Sequence, residues 1–229
     1  MKKILSLDHV SYSIPYADSI LEDVSFDVHE AEFIGLLGHN GAGKTTLMDL
    51  FLGLRKCTTG SLSVLGRDPH LMERDLRVKV VYLSQDNSLK SNLTIKQFLE
   101  FHASFYPSYK VSEEKRLMDV FQLNYDSKIG ALSTGQQKKV QVVANFSVCP
   151  ELILIDEITA VMDPETRSVF FQELERIRQT YKSAVILATN IAEDLVERSD
   201  RVVFISQKHS KIHSPKEIEV LFNLFKEIA

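Results

Sequence analysis

Residues 38–46 read Gly38-His39-Asn40-Gly41-Ala42-Gly43-Lys44-Thr45-Thr46. Gly38 and Gly43, followed by Lys44 and Thr45, give the spacing G-x-x-x-x-G-K-[ST] of a phosphate-binding loop. Backbone N–H groups can surround a densely charged triphosphate only where side chains do not intrude, and Lys44 can reach the β- and γ-phosphates. The sequence therefore predicts that all nine residues form a site for a nucleoside triphosphate.

The residues on either side of this loop support the prediction. Phe33–Leu37 is an apolar run of strand length, and Lys44–Leu54 has apolar residues at helical spacing. A strand, a loop and a helix in this order would place the phosphates at the helix N-terminus, which carries roughly half a positive charge. The hydroxyl of Thr45 could then be a ligand of Mg²⁺.

The 229-residue chain has an ordinary composition for a globular protein, with 44% hydrophobic and 25% charged residues. Its net charge of −4 gives no indication of nucleic acid or anionic lipid as a partner. Cys57 and Cys149 lack metal-ligand spacing and are interpreted as reduced, buried residues. Met1–Leu5 resembles the start of a secretion signal, but Asp8 and His9 interrupt the apolar run. No apolar stretch approaches the roughly 18 residues that span a bilayer, so function at a membrane would require a spanning partner.

Short apolar or alternating runs predict strands, and apolar residues at every third or fourth position predict helices. The predicted strands are Lys3–Ser11, Ile20–Val28, Phe33–Leu37, Ser61–Leu65, Val78–Leu83, Glu151–Ile155, Ala184–Ala188 and Val202–Ile205. The predicted helices are Lys44–Leu54, Asn92–Phe105, Ser112–Phe121, Gly135–Val148, Pro164–Tyr181, Ile191–Arg198 and Pro215–Ile228. This alternation predicts an α/β fold with a mostly parallel sheet, preceded by an antiparallel β element near the N-terminus.

The change from strands to helices after residue 86 indicates how this single domain is organised. We expect a core formed by residues 1–86 and 149–229, with residues 87–148 inserted as a helical subdomain. In its first helix, Thr94 is a plausible N-cap. The aromatic residues that follow at helical spacing, Phe98, Phe101 and Phe105, are expected to pack in the interior.

Leu152–Ile155 is an apolar run that ends in the two acids Asp156 and Glu157. Such a strand is typical of a parallel sheet that is covered on both faces, and its acids would lie at the carboxyl edge beside the phosphate loop. We expect Asp156 to hold the Mg²⁺ shell and Glu157 to polarise the water that attacks the γ-phosphate.

Leu132-Ser133-Thr134-Gly135-Gln136 resembles the LSGGQ signature of ATP-binding-cassette (ABC) ATPases. Gln85 matches the Q-loop glutamine of that family, and Asp163, in Ala160-Val161-Met162-Asp163-Pro164, matches its D-loop. These elements occur in the family's order and cover essentially the whole chain.

The resemblance implies that ATP and Mg²⁺ are bound between two cassettes, which form a homodimer or a heterodimer. Ser133, Gly135 and Gln136 would contact the γ-phosphate held by the other cassette, since they lie at a helix start, which favours anions. Gln85 would join Thr45 and Asp156 at the metal and would also act in catalysis. The implied partners are membrane-spanning permease subunits, and the implied location is the cytoplasmic face of the cell membrane, as a peripheral subunit.

Several residues depart from the family's pattern. Asn190 stands where the family has a switch histidine; its amide can donate a hydrogen bond but cannot carry a proton charge, so slower hydrolysis is expected. Thr134 replaces the second signature glycine and would be strained if that position needed a positive φ. Ile158 replaces a proline and Ala31 a glycine, and little effect is expected from either.

Two assignments remain open in the sequence. The residue that stacks on adenine aligns with Ile14, between Tyr12 and Tyr16; we choose Tyr16, and an exposed loop tyrosine with no such role explains it equally well. His209 and His213 are four residues apart, which suits a metal pair on a helix, but the residues around them suggest a loop with no acidic or cysteine ligand nearby.

The leading hypothesis is an ATP-hydrolysing subunit of an ABC membrane transporter. The stretch Phe105–Tyr109 and the short C-terminal end are similar to exporter ATPases of the ABC-2 type. One alternative is a non-transport ABC ATPase that acts on DNA or the ribosome, although the chain lacks the coiled coils, zinc insertions or second cassette usual in those proteins. Another is a slow-turnover regulatory subunit, which Asn190 favours and Glu157 opposes.

Overall fold

The structure is a computed structural model that describes residues 1–15, 18–85, 89 and 92–218. In chain order the elements are β1 (Lys3–Ser13), β2 (Ser19–His29), β3 (Phe33–Leu37), α1 (Lys44–Phe51), β4 (Thr59–Val64), α2 (Arg74–Arg77), β5 (Val80–Ser84), α3 (Ile95–Ala103), α4 (Val111–Val120), α5 (Thr134–Phe146), β6 (Leu152–Asp156), α6 (Pro164–Tyr181), β7 (Ala184–Thr189), α7 (Glu193–Val196), β8 (Arg201–Ser206) and β9 (His209–His213). Short 3-10 helices lie at Pro69–Leu71, Ile129–Ala131 and Ile158–Val161.

The chain divides into two compact units, and the first comprises Met1–Glu73 and Ala184–Ala229. Its N-terminal part is an antiparallel sheet in the order β2-β1-β4, with Leu7 paired with both Phe26 and Leu62. Apolar residues alternate along β2 and are buried at Leu21, Val24, Phe26 and Val28, because one face of this sheet covers the core.

A second sheet in the first unit positions the phosphate loop. β3 lies between β7 and β8 and runs parallel to both, while β9 is antiparallel to β8. All residues of β3 and β7 are buried, as expected for parallel strands that are covered on both faces.

The loop predicted around His209 and His213 is wrong, because these residues bound strand β9. Strands β8 and β9 form a hairpin, and the turn between them contains Gln207 and Lys208, whose φ angles are 49° and 73°. Two consecutive positive φ values are typical of the type I′ turn, which joins antiparallel strands in tight hairpins. This turn usually contains Asn or Gly. In the described part of the chain, no group of three or more His, Cys, Asp or Glu side chains is placed to hold a metal ion.

The second unit is Arg74–Ser183 and combines strands β5 and β6 with helices α2–α6. β5 and β6 are parallel and in register from Val80 opposite Leu152 to Ser84 opposite Asp156. The buried residues of α5 include Val140, Val142, Val143, Ala144 and Phe146, which form much of this unit's core. The predicted fold class, an α/β protein with a mostly parallel sheet and an N-terminal antiparallel element, is confirmed, whereas the predicted subdomain bounds at 87 and 148 stay a prediction.

Two predictions about buried side chains are wrong. Thr94 caps α3 as predicted, but Phe101 and Phe105 are 60% and 45% exposed and contact each other edge to face, with centroids 4.9 Å apart. Their spacing is helical, but α3 ends at Ala103 and only Ile95 and Leu99 of this helix are fully buried. Cys57 and Cys149, which were expected to be buried, are partly exposed and reduced.

The prediction that Ala31 has little effect is also corrected. Ala31 adopts a φ of 57° in the turn between β2 and β3. That region favours glycine, so its Cβ introduces strain of about 1–2 kcal/mol.

Only the first part of the predicted C-terminal helix lies within the described residues. Residues 215–218 are helical, and the rest of the predicted helix Pro215–Ile228 lies outside the described residues, as does Tyr16. Among the helices of the described ranges, none combines the length and the apolar character that are needed to cross a bilayer.

Candidate functional site

The phosphate loop joins the end of β3 to the start of α1, as the sequence predicted. Gly43 is the N-cap of α1 with a φ of 104°, and a Cβ there would lie 2.8 Å from Cδ2 of Leu21. Gly38 faces β8 so closely that a Cβ would lie 2.6 Å from the carbonyl oxygen of Ile205. Both glycines are thus required by the shape of the loop itself, in addition to the room that a phosphate needs.

Lys44 is almost completely buried, at 4% exposure. Its Nζ donates to the carbonyl oxygen of Gly38 at 2.8 Å and to that of His39 at 3.3 Å. These bonds compensate for burying the ammonium group and hold its charge inside the turn of the loop.

The N-terminus of α1 differs from those of three helices in the second unit, α3, α5 and α6. Thr94, Ser133 and Asp163 cap α3, α5 and α6 with side-chain oxygens, whereas Gly43 has no side chain to cap α1. The first N–H groups of a helix have no partner within the helix, and a phosphate oxygen can accept from them.

The other loop residues form the rim and the wall of this site. His39, Asn40, Gly41 and Thr45 are exposed, Thr46 is half-buried and Ala42 is buried. The Nδ1 atom of His39 lies 2.8 Å from the carbonyl oxygen of Asn40. The exposed residues therefore form the open side of the loop, where a phosphate would enter.

Asn190 lies at the same sheet edge as the phosphate loop. In the parallel pairing of β3 and β7, Leu37 is opposite Thr189, so Gly38 and Asn190 leave the sheet side by side. Thr189 is buried and its Oγ1 accepts from the N–H of Ile191 at 3.0 Å, which shapes the turn. Asn190 itself is exposed.

In the second unit, Asp156 ends β6 and is buried, at 6% exposure. The hydroxyl of Tyr82 donates to its Oδ2 at 3.3 Å. Glu157 follows in a left-handed conformation, with φ 53° and ψ 14°, and is half-buried. A non-glycine residue in that region stores about 1–3 kcal/mol of strain, which is a frequent feature of functional sites.

Gln85 is exposed and leaves β5 beside Asp156. Ser84 and Asp156 are opposite each other in the parallel register, and the N–H of Gln85 donates to the carbonyl oxygen of Asp156 at 3.1 Å. The structure therefore brings together the two predicted metal-site residues of this unit.

Ser133 and Gln136 form a capping box at the start of α5. Ser133 Oγ accepts from the N–H of Gln136 at 3.3 Å, and Gln136 Oε1 accepts from the N–H of Ser133 at 3.0 Å. One of the N–H groups predicted to bind an anion is thus already engaged within the chain. Gly135 is half-buried, and among the described residues outside its own stretch of helix no heavy atom lies within 4 Å of the position that its Cβ would take.

The strain considered for Thr134 does not arise. Thr134 is the first residue of α5 and is not among the residues with a positive φ. A helical φ suits a β-branched residue, so the replacement of the signature glycine requires no left-handed backbone.

The residues around the predicted adenine position are only partly described. Ile14 is exposed, and Tyr16, our choice, lies outside the described residues. The hydroxyl of Tyr12 accepts from Arg55 Nη1 at 2.9 Å, and the guanidinium lies 5.5 Å from the Tyr12 ring centroid. Tyr12 therefore packs against Arg55.

Sequence reasoning missed Lys138, which is 2% exposed and donates to the carbonyl oxygens of Ser84 at 3.0 Å and Gln85 at 2.7 Å. The available signal was its position on α5, four residues before the buried Val142. A lysine on the buried face of a helix indicates that its charge has a specific partner.

The side chains that were predicted to hold Mg²⁺ carry oxygen donors of the type that this ion prefers. Thr45, in the first unit, offers a hydroxyl, and Asp156, in the second unit, offers a carboxylate.

Comparison with known proteins agrees with this site. The family described as ABC transporter matches residues 21–160, which include the phosphate loop, the signature and both acids. The chain therefore belongs to the ABC transporter family, and the interpretation as an ATP-binding subunit of that family is confirmed.

Individual relatives match this chain over most of their length. The energy-coupling factor transporter ATP-binding protein EcfA2 of Caldanaerobacter subterraneus is 26% identical over 93% of this chain and 80% of its own. The zinc import ATP-binding protein ZnuC of Rickettsia bellii is 31% identical over 81% of this chain and 76% of its own. A solved ATP-binding subunit of an ABC transporter is 26% identical, covers 96% of this chain and 94% of its own, and superposes with a TM-score of 0.84.

Proposed function

We propose that this chain hydrolyses ATP as the peripheral, cytoplasmic subunit of a membrane transporter. Two cassettes would close around two Mg-ATP, and hydrolysis would let them reopen and so move separate membrane-spanning subunits. The observation that carries this proposal is the phosphate loop. The ammonium group of the buried Lys44 donates to the carbonyl oxygen of Gly38, and the N-cap of α1, Gly43, has no side chain with which to cap that helix.

The residues of the first unit would bind and orient the triphosphate. Lys44 neutralises phosphate charge from inside the loop, and the N-terminus of α1 donates N–H groups. Asn190, which follows β7 at the same sheet edge, would donate a side-chain hydrogen bond to the γ-phosphate. Thr45, Asp156 and Gln85 would hold Mg²⁺, which neutralises charge on the β- and γ-phosphate oxygens when bound.

Glu157 would accept a proton from the attacking water. Its left-handed backbone sets the direction of the Cα–Cβ bond, and the turn that contains it lies between Asp156, at the end of β6, and the 3-10 helix Ile158–Val161. A positioned general base contributes about 10²–10⁴-fold to a rate.

The second cassette would complete each site. Ser133, Gly135 and Gln136 lie at the capped start of α5, and we propose that they contact the γ-phosphate held by the other copy, with Ser133 Oγ and the N–H of Gln136 exchanging their mutual bond for the phosphate. The membrane subunits would attach separately, and the ABC-2 exporter sub-class stays a prediction.

The test is ATP binding and hydrolysis by the complex purified from native membranes with its spanning partner. Lys44→Ala should weaken ATP binding about 10- to 150-fold, since charge-assisted hydrogen bonds contribute about 1.5–3 kcal/mol each. Lys56→Ala removes an exposed lysine beyond α1 and should bind ATP as the wild type does.

The second part of the test addresses hydrolysis. Glu157→Gln should retain ATP binding and lose at least about 100-fold in kcat. If wild type and Glu157→Gln hydrolyse ATP equally slowly, the chain is the slow-turnover regulatory subunit that Asn190 favours. If Lys44→Ala binds ATP with unchanged affinity, the phosphate-loop assignment is wrong.

A further inference from the structure

Lys138 is a charged side chain in the interior of the second unit that none of the proposed roles uses. It is 2% exposed. Its Nζ donates to the carbonyl oxygens of Ser84 at 3.0 Å and Gln85 at 2.7 Å, and lies 3.5 Å from Gln141 Oε1. A lysine ammonium has three donors and no acceptor, so its place is beside acceptors of this kind.

These bonds link the start of α5 to the end of β5. Lys138 follows Ser133, the N-cap of α5, by five residues, which corresponds to about 7.5 Å along the helix axis. Beyond the end of β5, the carbonyl oxygen of Gln85 accepts the hydrogen bond from Lys138. The N–H of Gln85 donates to the carbonyl oxygen of Asp156 at 3.1 Å. Helix α5 therefore connects the signature to Lys138, and two direct hydrogen bonds connect Lys138 to Gln85 and Gln85 to Asp156.

The hydrogen bonds from Lys138 restrain the backbone of Gln85 more firmly than strand pairing does alone. Gln85 is exposed and lies directly beyond Ser84, the last residue of β5. Two carbonyl oxygens on consecutive residues are held by a single ammonium, which restrains both peptide groups at once. Removing that ammonium would leave the buried carbonyl of Ser84 without this donor.

We infer that Lys138 is a positioning residue for Gln85, and that it makes the Gln85 backbone follow the signature helix α5. This inference rests on the proposed function, in which Gln85 acts at the metal and Ser133 contacts the γ-phosphate of the other copy. A displacement of α5 on closure of the two cassettes is thereby passed to Gln85 through one ammonium group.

The first experiment measures hydrogen exchange of individual backbone amides by NMR in the full chain, and it does not depend on ATP hydrolysis. Lys138→Met keeps the length of the side chain and removes its donors, and should accelerate exchange of the Gln85 amide about 2- to 30-fold. The amides of Val81 and Ile153, inside β5 and β6, should change much less. Lys138→Arg retains charge and donors and should restore protection in large part.

The matched control is Lys115→Met, which makes the same change at an exposed position of α4 in the same unit and should leave the Gln85 amide unchanged. If Lys138→Met does not yield folded protein, Lys138→Gln, which keeps a donating amide, replaces it in the same comparison. Equal acceleration at Gln85, Val81 and Ile153 would mean that Lys138 only stabilises the unit, and unchanged exchange at Gln85 would mean that it does not hold this residue; either result overturns the inference.

The second experiment uses the complex with its membrane partner. Lys138→Met should lower kcat about 2- to 30-fold with an unchanged KM for ATP, because the phosphate loop is intact. A rise in KM with kcat unchanged would place Lys138 in ATP binding and contradict the inference. If the wild-type complex has no Glu157-dependent hydrolysis, the proposed function fails, while the exchange measurement still decides whether Lys138 positions Gln85.

Discussion

Ala31 and Glu157 both have a left-handed backbone, but only Glu157 lies in the candidate site. Their φ angles are 57° and 53°. Glu157 lies in the candidate site, and strain at such a position is a frequent feature of functional sites. Ala31 lies in a turn between β2 and β3 for which we assign no role in the site, so its strain is a cost in stability without a compensating function.

Ala31→Gly should therefore stabilise the protein. Relief of a left-handed alanine contributes about 1–2 kcal/mol, and the extra entropy of glycine in the unfolded chain offsets about 0.5–1 kcal/mol of it. The net gain of about 0.5–1 kcal/mol would appear as a higher denaturation midpoint in urea. Ala103→Gly, at the end of α3, is the control and should lower the midpoint; a lower midpoint for Ala31→Gly as well would contradict this account.

Asn190 limits hydrolysis in the proposed mechanism, because its amide makes a neutral hydrogen bond where a histidine could make a charged one. Charged hydrogen bonds contribute about 1 kcal/mol more than neutral ones, which corresponds to about fivefold in rate. Asn190→His should accordingly raise kcat of the complex about fivefold, and Asn190→Ala should lower it. An unchanged or lower kcat in Asn190→His would remove Asn190 from the mechanism.

At the scale of elements, helices α3, α5 and α6 of the second unit begin at side-chain caps, which the sequence indicates only in part. Thr94 Oγ1 accepts from the N–H of Gln97 at 3.2 Å, and Gln97 Oε1 accepts from the N–H of Thr94 at 3.0 Å. Thr94→Ala should cost about 1 kcal/mol of unfolding free energy. Ser112→Ala removes a hydroxyl near the start of α4, whose N-cap makes no side-chain bond, and should cost nothing measurable. Equal losses for the two variants would refute the capping role.

Helices α4 and α6 are joined by a ring of ion pairs. Arg116 pairs with Glu113 at 3.2 Å and with Glu173, and Arg176 pairs with Glu173 at 3.0 Å and with Glu113. Burial acts to raise the pKa of Glu113, but hydrogen bonds from Tyr181, Arg176 and Arg116 outweigh it, so that this pKa is lowered. The pKa of Glu173 is lowered in the same way by Arg116 and Arg176.

This network makes the free energy of unfolding depend on pH in the acidic range. A lowered folded-state pKa means that the unfolded chain binds more protons, so the ring stabilises the fold above the ordinary pKa of 4.5 and loses that effect as pH falls through the folded-state values. Glu113→Gln should lower the unfolding free energy near neutral pH and flatten its decline below pH 4.5. Glu100→Gln, at an exposed position of α3, should leave both unchanged; a decline in Glu113→Gln as steep as in wild type would contradict the assignment.

The elements also show which features the sequence could predict. The phosphate loop and the apolar run before Asp156 depend on local spacing, so both were predicted with small errors at their ends. Strand β9 depends on pairing with β8 and on a turn at Gln207 and Lys208 that lacks the usual glycine or asparagine. Lys138 could not be assigned a partner, because its acceptors lie 53 and 54 residues away in the chain.

At the scale of the whole molecule, each copy supplies two kinds of surface to the proposed sandwich. The phosphate loop and Asn190 leave one sheet edge in the first unit, and the capped start of α5 carries the signature in the second unit. We propose that the phosphate loop binds the triphosphate of its own chain and that the signature contacts the γ-phosphate held by the other copy. This sharing of each site between two copies is implied by the family resemblance and stays a prediction.

The most direct measurement is the mass in solution of Glu157→Gln with and without Mg-ATP, because this variant should bind ATP and not cleave it. The account predicts two copies per particle with Mg-ATP and one copy without it, and one copy in both conditions when Lys44→Ala is added to the variant. A single-copy particle of Glu157→Gln in saturating Mg-ATP, also in the presence of its membrane subunits, would contradict the account.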